Sequence, residues 1–162
     1  MSPTRRGLAH LLLAAVLGVG LASTQTGSSV AADDPQAFVA AIYQRYENGG
    51  DGLALDNAET IRALFEPRLA ELIIADGDEA AAVGDAGKLD SDPFVDAQDW
   101  DISDIRIDVE ALTPDRAEGA VTFLNLGEPK RVDIQLVRAD DGGWRIRDIL
   151  WATSSLRGLY TH

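Results

Sequence analysis

The chain has 162 residues, no cysteine and two histidines, and its 27 acidic against 14 basic side chains give a net charge of −13. Without cysteine it has no disulfide, thiol nucleophile or thiolate metal site; with histidine only at positions 10 and 162, multi-histidine zinc sites and histidine triads are set aside as well. A field this acidic repels nucleic-acid phosphates and anionic lipid, so neither is expected as a partner.

The N-terminus reads as a secretory signal. Arg5 and Arg6 give a positive start, residues 11–22 form an uncharged Leu/Ala/Val run, and Val30-Ala31-Ala32 offers small residues for cleavage between Ala32 and Asp33. The apolar run is 12 residues long, short of the about 20 that span a bilayer, so no stable membrane anchor is expected once it is removed. Thr4-Arg5-Arg6-Gly7-Leu8 is compatible with either the general-secretory or the twin-arginine route, and no cysteine follows the run to carry a lipid. Residues 33–162 then make 130 residues, about one domain. With Arg5 and Arg6 removed, 12 basic side chains stand against 27 acidic ones, a net charge of −15.

In chain order, Asp34-Pro35 opens a helix, with Asp34 as N-cap and Pro35 at the first helical position. Phe38, Val39, Ile42, Tyr43 and Tyr46 follow at helical spacing, and residues 48–52, Asn-Gly-Gly-Asp-Gly, stop it. A second helical stretch begins near Asn57; Pro67 interrupts it and restarts a short helix. Residues 75–89, rich in Gly, Ala and Asp, read as a loop with one helical turn at 79–82.

From Trp100 the period becomes two. Ile105, Ile107, Val109 and Ala111 alternate with Asp104, Arg106, Asp108 and Glu110, the pattern of a half-buried strand. Further strands are expected over 117–125, 131–138 and 144–151, with turns at 113–115, 127–129 and 139–143, and Ser154 or Ser155 caps a last helical turn. Helices followed by a four-stranded antiparallel meander make an α+β fold, with the helices packed on one face of the sheet.

Two segments carry the chemistry that remains. Asp90, Asp92, Asp96, Gln98, Asp99 and Asp101 are hard oxygen donors, but an EF-hand loop begun at Asp90 would have Val95 where glycine is needed and Asp101 where glutamate is needed, so no metal is assigned. On the last strand Trp144, Ile146 and Asp148 alternate to one side, opposite Arg145 and Arg147. An inward Asp148 has two readings: a carboxylate with a raised pKa acting as a base, or an acceptor that fixes the sheet to a helix. Gln98, Asp99 and Asp148 are the candidate ligand-binding residues, gathered at a pocket mouth. Asp148, Asp99 and Tyr43, with Tyr46 as a second donor, are the catalytic candidates. No glycine-rich loop has phosphate-binding spacing, so no cofactor is implied.

The Asp-Pro-Phe and Ala-Gln-Asp pieces at 92–94 and 97–99, the Trp-Arg-Ile-x-Asp-Ile strand at 144–149 and the trailing Ser-Leu-Arg at 155–157 resemble the domain-of-unknown-function 3828 family of bacterial exported proteins. The resemblance covers Phe38 to Arg157. The layout is also similar to the wider nuclear-transport-factor-like (cystatin-like cone) superfamily, whose helices close against a curved sheet. That superfamily hosts steroid-isomerase-like enzymes in which an Asp base works with a Tyr donor; no motif here matches theirs residue by residue, and no catalytic role is carried over. The expectation is a periplasmic or secreted, non-catalytic binding or interaction module of the bacterial cell envelope, for a small apolar ligand or an envelope protein. Two alternatives stand beside it: a small isomerase- or hydrolase-like enzyme using a pocket Asp with a Tyr, and an acidic inhibitor or immunity-type protein.

Overall fold

The computed structural model describes residues 34–161, and the export segment with its junction at Ala32 and Asp33 lies outside the described residues. Helix α1, Pro35–Tyr43, starts where the Asp34 carboxylate accepts the Gln36 N–H at 3.0 Å, and buries Val39, Ile42 and Tyr43. A short 3-10 turn, Glu47–Gly49, ends this arm. Helix α2, Ala58–Leu64, is capped by the Asn57 side chain, which accepts the N–H groups of Glu59 and Thr60. Pro67 forces the preceding Glu66 into extended backbone (φ −61°, ψ 150°), and α2 stops. Phe65 there makes a parallel bridge to Ile146.

Helix α3, Pro67–Val83, has 17 residues, so the expected short helix and following loop need correction. Glu79-Ala80-Ala81-Ala82 is the strongest helix-forming run in that stretch, and it outweighs Gly77. Gly84, left-handed at φ 70°, ends the helix.

Strands β1, Ile102–Thr113, β2, Arg116–Asn125, β3, Glu128–Arg138, and β4, Trp144–Leu150, form one antiparallel sheet in sequence order. Helix α4, Leu156–Thr161, closes the described chain, with the Ser155 hydroxyl accepting the Gly158 N–H at 3.1 Å. The fold is therefore α+β. Val121, Val132, Ile134, Leu136, Ile146 and Ile149 of the sheet share one core with Val39, Ile42, Leu69 and Ile73 of the helices. Asp108, Glu110 and Glu118 are exposed on the other face, the usual division of an antiparallel sheet with one wet side. The Gln36 side chain guards the edge strand: its amide donates to the Ile107 carbonyl and accepts the Val109 N–H, both at 3.0 Å, as a neighbouring strand would.

The β2–β3 turn also differs from expectation. It is the two-residue Leu126-Gly127, both at positive φ (51° and 85°), between the paired Asn125 and Glu128. This is the hairpin turn whose twist matches the strands. Pro129 lies within β3, beyond the part that β4 pairs, so its missing N–H costs nothing on that side. Leu126 is 65% exposed and gains little from its side chain, while a left-handed backbone costs a non-glycine residue about 1–2 kcal/mol. Leu126→Asn is expected to raise the unfolding free energy by about 1 kcal/mol, asparagine being a preferred residue there. Urea unfolding measures it, and an unchanged or lower midpoint would contradict the turn assignment.

Candidate functional site

Residues 92–100 have little regular structure, yet Pro93, Phe94 and Val95 are buried. A buried loop must find partners for its backbone groups, and here side chains supply them. Asp92 accepts the Phe94 N–H at 2.8 Å, an Asx turn two residues long. The Tyr43 hydroxyl donates to the Phe94 carbonyl at 2.8 Å, and the Trp151 indole donates to the Pro93 carbonyl at 3.0 Å. The Asp92 N–H donates to the Ala97 carbonyl at 3.0 Å. Aromatic rings surround the turn: Phe94 lies 6.5, 6.2 and 6.3 Å from Tyr43, Tyr46 and Phe65.

The second oxygen of Asp92 accepts the Tyr46 hydroxyl at 2.8 Å, and that hydroxyl in turn accepts the Leu53 N–H at 3.2 Å. This chain of bonds ties the turn that follows α1, the 50–55 segment and the 92–97 loop into one wall. Gly52 makes the close approach feasible: at φ 72° a Cβ there would lie 2.7 Å from the Tyr46 ring and 3.0 Å from Trp100. Burial raises the Asp92 pKa, against the lowering effect of its bonds from Tyr46, Phe94 and Val95. Burial, and secondarily the Asp92 charge, raises both tyrosine hydroxyls, so they stay protonated.

Against this wall opens a cleft of about 530 Å³, within the size range of ligand sites, about 300–1,000 Å³. Leu53 and Leu55 line it from the irregular segment between the 3-10 turn and α2; Ile73, Leu89 and Pro93 add to the apolar lining. Ile73, Asp76 and Gly77 fall on one face of α3, where its buried stripe gives way to polar and small residues. Asp76, Asp90, Ser91, Asp92, Gln98 and Tyr160 complete the lining. The Asp76 carboxylate accepts the Lys88 N–H at 2.7 Å, holding the 85–91 loop to α3. Burial, with the Asp76 charge as a smaller cause, raises the Tyr160 hydroxyl to about 12.

The cleft makes a pH prediction through Asp92. A carboxyl whose folded pKa exceeds its ordinary 3.8 gives its full stabilisation below that value and loses it as pH rises through the folded pKa. Asp92→Asn removes this dependence. The variant is therefore expected to gain stability relative to the parent as pH rises from about 4 to 7. Denaturation of both proteins across that range measures the difference; parallel profiles would contradict it.

The expected pocket-mouth trio is not assembled. Gln98 lines the cleft, its amide donating to the Asp90 carbonyl at 3.2 Å. The Asp99 side chain is exposed, and its carbonyl accepts the Asn125 amide at 3.3 Å, at the β2–β3 turn end. Asp148 is opposite Gln135, seven residues along β3 from the Glu128 that pairs with Asn125, a separation of about 23 Å at the rise of a strand.

Nor does Asp148 share a side with Ile146. The register shifts between Gln135 and Leu136, so that Ile146 pairs with Leu136 but Asp148 pairs with Gln135, and Arg147 is the extra residue of a bulge. Ile149 takes the inward place instead, opposite Ile134. Asp148 is buried nonetheless, because one oxygen accepts the N–H groups of Ile149 and Arg157 at 2.9 and 2.8 Å. Tyr43 is fully buried, with its proton committed to Phe94. The acids of the 90–101 segment diverge: Asp92 turns inward, while Asp96 pairs with Lys130 at 3.6 Å.

In the sequence Asp92 stands out as an oxygen donor and as part of the Asp-Pro-Phe piece, and nothing there marks the cleft residues Leu53, Leu55, Asp76 and Tyr160. The Asp-Pro-Phe sequence was the available signal, since Asp two residues before a buried aromatic is an Asx-turn pattern.

A second depression, about 660 Å³, lies on the wet face of the sheet, lined by Asp108, Glu110, Glu118, Arg131, Asp133 and their neighbours. Glu110 stands directly opposite Glu118 in the pairing of β1 with β2. Among the described residues no helix is long and apolar enough to cross a membrane. No family model, no curated protein and no solved structure matches this chain.

Proposed function

We propose that the chain is an exported, non-catalytic binding module of the cell envelope, and that its cleft takes a small ligand with an apolar body. The observation that carries this reading is an apolar lining beside convergent polar groups in a recess of ligand size. Export rests on the pattern of residues 1–32, which predicts a secreted or periplasmic chain beginning at Asp33. Membership of the domain-of-unknown-function 3828 family, and of the nuclear-transport-factor-like cone, is part of the same proposal; the order of helices followed by a four-stranded meander supports it.

The non-catalytic choice draws on where the acid and tyrosine candidates spend their bonds. Asp148 holds two backbone N–H groups, and Tyr43 holds a backbone carbonyl. The Asp–Tyr pair at the cleft wall, Asp92 with Tyr46, ties three segments together, and Tyr46 is fully buried behind it.

Nile red, a neutral apolar dye, is the probe. The parent is expected to bind it saturably at one site with a rise in emission. Leu55→Glu, which sets a charge on the half-buried lining, should abolish binding in a variant that still unfolds in one cooperative transition at a lower midpoint. Absence of saturable binding, or binding untouched by Leu55→Glu, would overturn the reading.

A second reading is an acidic protein that covers a basic partner. Like charges directly opposite on neighbouring strands are destabilising, and among the described residues no cation pairs with Glu110 or Glu118. A basic partner would remove that repulsion. Protection of Glu110 and Glu118 from carboxyl labelling in a complex would favour this reading.

A further inference from the structure

The chemistry of the cleft narrows what it takes. Among the described residues its lining contains three carboxylates, Asp76, Asp90 and Asp92, and no lysine, arginine or histidine. Such a recess holds a negative potential that low-dielectric walls focus, and it disfavours an anionic guest. An independent observation lies at its mouth. The Lys88 ammonium is placed over the Tyr160 ring, 5.7 Å from the centroid, and Tyr160 is part of the lining. The chain's own side chain thus shows an ammonium held on the aromatic rim, an arrangement that a cation–π contact favours. Lys88 itself is exposed, so its flexible stem can leave the rim when another cation arrives.

We infer that the cleft selects ligands in which an alkyl or aryl body carries an ammonium group, the body lying on the Leu53–Leu55 side and the ammonium among the carboxylates and the Tyr160 ring, where it displaces Lys88. This rests on the cleft being the binding site. It adds the ligand's charge, and it gives Lys88 the role of an internal competitor.

Hexylammonium, hexanol and hexanoate share one body and differ in head group. Each is titrated into the protein at neutral pH, with the amide signals of Leu53, Leu89 and Ser91 as the readout. Hexylammonium is expected to bind about tenfold more tightly than hexanoate, a ratio worth ~1.4 kcal/mol, with hexanol between them. High salt should narrow the gap, because partly exposed charges are screened. Asp90→Asn, at an exposed position, should weaken hexylammonium and leave hexanol unchanged. Lys88→Ala should do the reverse of what loss of a ligand-binding residue does: it should tighten hexylammonium and leave hexanol unchanged. Equal binding of hexanol and hexylammonium, tighter binding of hexanoate, or weaker hexylammonium binding by Lys88→Ala would overturn the charge selectivity and leave the cleft as the site. Failure of all three compounds to move the cleft amides would overturn both.

Discussion

Phe94→Ala is expected to lower the unfolding free energy by about 3–5 kcal/mol, the range for deleting a fully buried aromatic. Phe94 belongs to no helix or strand, yet it has no exposed surface. It meets Phe65 in a stacked arrangement at 6.3 Å and Tyr43 edge-on at 6.5 Å, geometries that add to the burial of area. Truncation would open a cavity between the Phe65 bridge to β4 and the C-terminal end of α1. The same loop supplies the carbonyl that Tyr43 uses, so relaxation into the cavity would strain that bond. Val83→Ala, at a side chain 73% exposed on the last turn of α3, should change stability by less than about 0.5 kcal/mol. Urea unfolding of both variants gives the comparison. Equal midpoints would mean that the 92–97 loop is not part of the core.

The sheet was legible because its signal is local. Ile105, Ile107 and Val109 against Arg106 and Asp108 need only the two-residue period to be read. The start of α1 was legible for the same reason, since Asp34-Pro35 is a capping pattern complete within two residues. The length of α3 is not legible locally, because Gly77 and the aspartates of 75–85 carry loop composition, while the helix is decided by alanine propensity summed over its last turns. The site was least legible. Tyr46 meets Asp92 across 46 residues of sequence, and no spacing rule reports a contact that the tertiary fold creates. Asp148 failed for a different reason. Strict alternation assigns a face only while the register holds, and one extra residue at Arg147 reverses every assignment after it.

That bulge also determines what Asp148 does, and Asp148→Ala is expected to cost about 1–3 kcal/mol, because it leaves two backbone N–H groups without their acceptor. The carbonyl of the extra residue, Arg147, accepts the Arg157 guanidinium at 2.8 Å. The same guanidinium pairs with Glu66, at the start of α3. The Arg157 N–H meanwhile donates to Asp148 at 2.8 Å. One residue of α4 therefore clasps the bulge through its backbone and side chain together, and joins β4, α3 and α4. Removing either end should release the same element, so Asp148→Ala and Arg157→Ala should be non-additive, their combined cost well below the sum of the two. Asp148→Asn keeps an acceptor oxygen at the position that both N–H groups use, and should cost much less than Asp148→Ala. The measurement is a double-mutant cycle by urea unfolding, with Asp148→Asn beside it. Additive costs, or Asp148→Asn as damaging as Asp148→Ala, would show that the carboxylate has a role other than holding α4 to the bulge.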